Sequence, residues 1–113
     1  MPSHKIQRTA EDIHRELTDI IKGLKDPRVK GLLSIVKVDL SGDMSYCKVY
    51  VSAMEGPGAT KEAVVGLKSA AGFVRREIGA RLQLRHTPEL KFIADDSIAY
   101  SADIAKKLDA LNN

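Results

Sequence analysis

Two alternating runs around a tight turn limit the fold of this chain more than any other feature. In Leu33-Ser34-Ile35-Val36-Lys37-Val38-Asp39-Leu40 the pattern sets Val36, Val38 and Leu40 on one face. Ser41-Gly42-Asp43 follows as a turn. From Ser45 to Ser52 alternation resumes, with Cys47, Val49 and Val51 on one side and Tyr46, Lys48, Tyr50 and Ser52 on the other. Such a pair predicts an antiparallel hairpin with one buried face.

Helical periodicity flanks the hairpin. Ile6, Ala10, Ile13, Leu17, Ile20, Ile21 and Leu24 recur at steps of three and four. Thr9 is a candidate cap for this helix, and a start near Ser3 is equally compatible with the pattern. Gly23 loosens its end and Asp26-Pro27 closes it, because a residue before proline avoids the helical region. After Glu55-Gly56-Pro57-Gly58, Thr60 can cap a second helical stretch with Val64, Leu67, Ala71, Val74, Ile78 and Leu82 as its stripe. Gly72 and Gly79 lie inside it, each costing about 1 kcal/mol against alanine. A kink at Ala70-Ala71-Gly72 would divide the stretch in two, and a larger side chain at Gly72 is expected to be resisted there. Pro88 forces an end. Leu90, Phe92 and Ala94 suggest a third strand, and Asp95-Asp96-Ser97 a cap for a last helix carrying Ile98, Ile104, Ala105, Leu108 and Leu111. The expectation is one α+β domain over residues 1–113, ordered helix, strand, strand, helix, kink, helix, strand, helix. Its two layers are a three-stranded sheet and helices on one face.

Composition excludes several classes. Among 113 residues only five are aromatic and none is Trp, so the core must be aliphatic. No apolar run reaches the length of a membrane span, and the start Met1-Pro2-Ser3-His4-Lys5 does not read as a signal peptide. One cysteine makes neither an internal disulfide nor a Cys-rich metal site. The expected setting is the cytoplasm, and the expected state is a monomer without metal or cofactor. His4, His14 and His86 are scattered, with no carboxylate or nucleophile at a catalytic spacing, so a non-enzymatic role is expected. Cys47 reads as a small core residue. Asp95-Asp96 reads as a helix cap rather than a cation site.

Charge is distributed unevenly. Residues 59–91 hold Lys61, Lys68, Arg75, Arg76, Arg81, Arg85 and Lys91 against Glu62, Glu77 and Glu89, a net +4 beside +3 for the whole chain. Lys68, Gly72, Arg75 and Gly79 are spaced by four, three and four, so they share a stripe beside the apolar one. Two readings of this stripe stand side by side. Missing side chains at Gly72 and Gly79 would let a phosphate backbone approach between Lys68 and Arg75, and a break at Gly72 would add free amides. Alternatively, the glycines let a solvated helix pack near a neighbour. A second candidate surface is the outer hairpin face, where Tyr46, Lys48 and Tyr50 could stack bases.

A longer pattern completes the reading. It runs through Asp26-Pro27-Arg28, Ser45-Tyr46-Cys47-Lys48-Val49-Tyr50-Val51, Ala71-Gly72-Phe73-Val74-Arg75-Arg76-Glu77-Ile78-Gly79, Leu84-Arg85, Pro88-Glu89-Leu90 and Phe92. In order and spacing the chain resembles the ribosome-binding factor A family of bacterial small-subunit assembly factors. The resemblance implies a type II KH-like fold in which an Ala-x-Gly kink, matched here by Ala70-Ala71-Gly72, replaces the Gly-x-x-Gly loop. It also implies binding to the free small ribosomal subunit and its ribosomal RNA during late maturation near the 5′-terminal helix, and a role in cold adaptation. The RNA-binding candidates are then Lys68, Gly72, Arg75, Arg76, Gly79, Arg81 and Arg85, with Arg28, Tyr46, Lys48 and Tyr50 as a secondary set. The alternatives are a KH-like regulator of other RNAs and a protein-interaction module.

Overall fold

The computed structural model describes residues 4–29 and 31–95. The expected last helix, with its Asp95-Asp96-Ser97 cap, therefore lies outside the described residues, apart from Asp95 itself.

The first helix, α1, spans His4–Lys22 and buries Ile13, Leu17, Ile20 and Ile21. Thr9 lies inside it rather than capping it. The helix also stops short of Asp26-Pro27, and Asp26 instead opens a turn closed by Val29 N–H on its carbonyl at 2.9 Å.

Strand β1 (Leu33–Leu40) pairs antiparallel with β2 (Tyr46–Ala53). The turn lies at Ser41-Gly42-Asp43, as expected. Met44, not Gly42, takes the left-handed backbone at φ 61°. The Asp43 carboxylate holds this turn by accepting from the Ser45 amide at 3.0 Å, the Ser45 hydroxyl at 2.6 Å and the Ser41 hydroxyl at 2.8 Å. These bonds keep the Asp43 carboxyl ionised down to about pH 2.

The hairpin also corrects the face assigned to Val36. Ile35 pairs with Val51 and Lys37 with Tyr50, so Val36 is the extra residue of a β-bulge. It is 40% exposed, while Leu33, Ile35 and Val38 pack on the core with Leu40. An inserted residue reverses the alternation on one side of itself, which periodicity cannot reveal.

Helix α2 (Pro57–Ser69) begins with proline in its first turn after Gly56, whose φ of 120° suits only glycine. Thr60 is thus not its cap. Its buried hydroxyl donates to Gly56 O at 3.0 Å and accepts from Ala53 N–H at 2.9 Å, which ties α2 to the end of β2. Helix α3 (Ala71–Leu82) follows directly. The single non-helical residue between them is Ala70, at φ −91° and ψ 2°. The break thus precedes Gly72, which sits in the first turn of α3. Ala70 and Ala71 pack on the core, so burial rather than glycine freedom sets the bend. It lets α2 lie on β2 and β3 while α3 reaches α1.

Strand β3 (Glu89–Ala94) pairs in parallel with β2, giving the order β1-β2-β3. Cys47, Val49, Val51, Leu90 and Phe92 form the buried sheet face and join Ile13, Leu17, Leu67, Val74 and Ile78 in one core. The outcome is the expected α+β architecture, with the element order of a type II KH-like domain.

Candidate nucleic-acid interface

The excess positive charge lies on α3 and on the connection that leaves it. Gln83, left-handed at φ 51° and ψ 44°, terminates the helix, and Leu84 N–H closes the end on Gly79 O at 3.2 Å. This reversal turns residues 85–88 back along α3. Two contacts hold them there. Arg75 donates to the Thr87 carbonyl from Nε at 3.2 Å and from Nη2 at 2.8 Å. A Cβ at Gly79 would lie 2.5 Å from Thr87 Oγ1. Gly79 therefore serves the packing of its own neighbour.

Gly72 is the opposite case. A Cβ there would meet nothing within 4 Å. The expectation that Gly72 resists larger side chains is corrected accordingly, because the bend beside it is open. Gly72 instead lines an open depression with Arg75, Arg76, Arg85, His86 and Thr87. The first turn of α3 starts here without a side-chain cap, since its preceding residue is Ala70. Backbone amides of a first helical turn lack intrahelical acceptors, and they favour an anion.

Ion pairing separates the candidate cations. Arg81 is committed within the protein, to Asp19 at 2.6 Å, Glu16 at 3.3 Å and Glu77 at 3.4 Å. Hydrogen bonds to Asp19 and then Glu16 raise its pKa further. Arg81 fastens α3 to α1 and does not line the depression. Arg28 is likewise engaged: its backbone N, Nε and Nη2 donate to the Asp26 carboxylate at 2.8, 3.0 and 2.8 Å. Those bonds hold the Asp26 carboxyl at about 2. By contrast Arg75, Arg76 and Arg85 have no carboxylate within ion-pair distance among the described residues. Lys68 is exposed in the last turn of α2 and is not among the residues lining the depression.

The structure thus gathers Gly72, Arg75, Arg76 and Arg85, and leaves Lys68, Gly79 and Arg81 outside. Three features were not anticipated. His86 and Thr87 join the depression because of the left-handed turn at Gln83, which no glycine or proline marks. Gly66 admits the 26–29 turn against α2, where a Cβ would lie 2.7 Å from Val29 Cγ2. Its signal was a further glycine in the helical pattern. The secondary set divides as well: Tyr46, Lys48 and Tyr50 lie together on the outer sheet face, away from Arg28.

Nothing in this geometry supports nucleophilic chemistry at Cys47. The residue is fully buried, and burial, followed by the nearby Asp39 charge, pushes its thiol up to about 12. Among the described residues no three His, Cys, Asp or Glu side chains converge as metal ligands, and no helix is long and apolar enough to cross a membrane. A depression floored by glycine and ringed by guanidinium groups suits the bidentate geometry of phosphate oxygens.

Comparison with known proteins shows which family the chain resembles. The family model described as ribosome-binding factor A matches residues 5–108. A ribosome-binding factor A of Acetivibrio thermocellus is 52% identical over 103 residues, covering 90% of this chain and 84% of that protein. The crystal structure of ribosome-binding factor A from Thermus thermophilus aligns with a TM-score of 0.71 at 29% identity, covering 79% of this chain and 93% of that one. A Thermus thermophilus ribosome binding factor A homology model, fitted into a cryo-EM map of its complex with the 30S subunit, aligns with a TM-score of 0.63 at 32% identity. That alignment covers 75% of this chain and 89% of the fitted one.

Proposed function

This chain belongs to the ribosome-binding factor A family, and from that membership we propose that it binds the free small (30S) ribosomal subunit and assists late maturation and processing of 16S ribosomal RNA near its 5′-terminal helix. The observation that carries the reading is the trio Arg75, Arg76 and Arg85 around the open backbone at Gly72, unneutralised by any carboxylate of the described residues. The fitted small-subunit complex of the Thermus relative supports the same partner.

The protein acts by binding rather than by catalysis. An assembly factor that prefers the immature arrangement of its RNA stabilises that arrangement, and it departs when maturation lowers its affinity. A tenfold preference requires about 1.4 kcal/mol of differential contact, within reach of one charge-assisted hydrogen bond. The same preference matters most in the cold, when misfolded RNA helices are slow to open, which supports a role in cold adaptation. It works as a cytoplasmic monomer, without metal or cofactor, as one domain over residues 1–113.

The test is a density-gradient profile of cell lysate probed for this protein. It should co-migrate with free small subunits and be depleted from intact ribosomes and polysomes. Migration at the top of the gradient, or with messenger RNA, would favour a regulator of other RNAs.

A further inference from the structure

The helices cover one face of the sheet, and the other face carries a second constellation of aromatic and basic groups. Three rows cross it: Tyr46 opposite Glu89; Asp39, Lys48 and Lys91; and Lys37, Tyr50 and Ile93. Tyr46 is 46% exposed, and Lys91 Nζ stands 4.6 Å from its ring centroid. Lys37 Nζ stands 6.0 Å from the Tyr50 ring. Tyr46 and Tyr50 are four residues apart on β2, about 13 Å at the rise of a strand. Lys48 lies midway between them.

We propose that this outer sheet face is a second RNA contact, a platform on which Tyr46 and Tyr50 stack unpaired bases while Lys48 and Lys91 take the phosphates between them. This rests on the reading that the partner is RNA. Two observations point to an anionic strand. Lys48 and Lys91 are directly opposed across the β2/β3 pairing, an arrangement that costs stability unless something negative lies between them. Every ion pair among the described residues uses an arginine, so neither lysine has a carboxylate within ion-pair distance, although Asp39 stands across from Lys48 and Lys91 lies over the Tyr46 ring. Each ring, moreover, has a lysine beside it, which turns the aromatic pair into a cationic platform. Sequence-tolerant stacking on a sheet with flanking lysines is the way single strands are held elsewhere. Asp39 and Glu89 at the margins are placed to accept from base amino groups and disfavour a uniformly phosphate-lined duplex.

The experiment uses the full chain and two ligands, a fluorescent eight-nucleotide oligouridine and purified free small subunits. Four proteins are compared: wild type, Tyr46→Leu/Tyr50→Leu, Tyr46→Phe/Tyr50→Phe and Arg76→Gln/Arg85→Gln, with thermal melts to confirm folding. The leucine pair should bind oligouridine about tenfold more weakly or worse, with an unchanged salt slope because no charge is lost. The phenylalanine pair should bind like wild type, since the stacking faces remain. The arginine pair should mainly weaken subunit binding, with a shallower salt slope. Oligouridine binding unchanged in the leucine pair overturns the platform and leaves the proposed function standing. Subunit binding lost in the leucine pair with oligouridine binding intact marks a protein contact and also overturns it. Failure of every protein to bind small subunits would instead count against the proposed function.

Discussion

Three of the four glycines of α2 and α3, Gly66, Gly72 and Gly79, have different physical reasons to be glycine. Gly66 and Gly79 stand where a methyl group would collide, with Val29 Cγ2 at 2.7 Å and with Thr87 Oγ1 at 2.5 Å. Gly72 has nothing within 4 Å. Gly66→Ala should therefore destabilise by about 1–3 kcal/mol through overpacking. Gly72→Ala should leave stability unchanged or raise it by up to about 1 kcal/mol, while weakening RNA binding because the added methyl group enters the depression. Chemical denaturation of the two alanine variants checks the order, and a Gly72→Ala protein less stable than Gly66→Ala would contradict it. At Asp26 the readout is pH. Its hydrogen bonds from Arg28 lower its carboxyl from 3.8 to about 2. A carboxyl depressed by folding adds stability above its unfolded pKa, and that stability is lost as pH falls through the folded value. Melting temperature should accordingly fall between about pH 4 and pH 2, with a smaller fall in Asp26→Asn. Equal slopes for the two proteins would remove Asp26 from the acid transition.

At the scale of elements, what could be read from the sequence and what could not have different causes. Over the described residues, element type and order followed from apolar period, which survives in every buried stripe. Val64, Leu67, Val74 and Ile78 are all buried as spaced. Boundaries and faces failed where one residue changed the local geometry, at the bulge at Val36 and the proline start of α2 that took Thr60 inside the helix, whereas the break at Ala70 falls within the expected Ala70-Ala71-Gly72 kink. The stripe of Lys68, Gly72, Arg75 and Gly79 was geometrically sound within one continuous helix, but Ala70 interrupts that helix. Arg81 was read as part of the same charge because carboxylates from α1, distant in sequence, are invisible to a local count. Its commitment to Asp19, Glu16 and Glu77 makes a separate prediction. Arg81→Met should lower stability only slightly, as for a largely solvated network, and leave small-subunit affinity near wild type. A large loss of affinity with no loss of stability would return Arg81 to the RNA-contact set.

At the scale of the molecule, one core holds two surfaces of different make. The helical side presents arginines around an exposed backbone, and the sheet side presents tyrosines among lysines. The central claim concerns the first: phosphates of the small-subunit RNA meet Arg76 and Arg85 directly. Neither side chain makes an ion pair among the described residues, so replacing both spares the fold. The direct measurement is the affinity for purified free small subunits across a salt series, for wild type, Arg76→Gln/Arg85→Gln and Lys5→Gln/Arg8→Gln. Each variant removes two positive charges, the control pair from the exposed side of α1. Contacting charges release counterions, whereas distant ones are screened beyond about 8 Å. The account predicts that the Arg76/Arg85 pair binds more weakly, with a log–log salt slope shallower by about 0.7–0.9 for each phosphate no longer neutralised, and that the Lys5/Arg8 pair keeps the wild-type slope. Equal losses of affinity and slope in the two variants would contradict it.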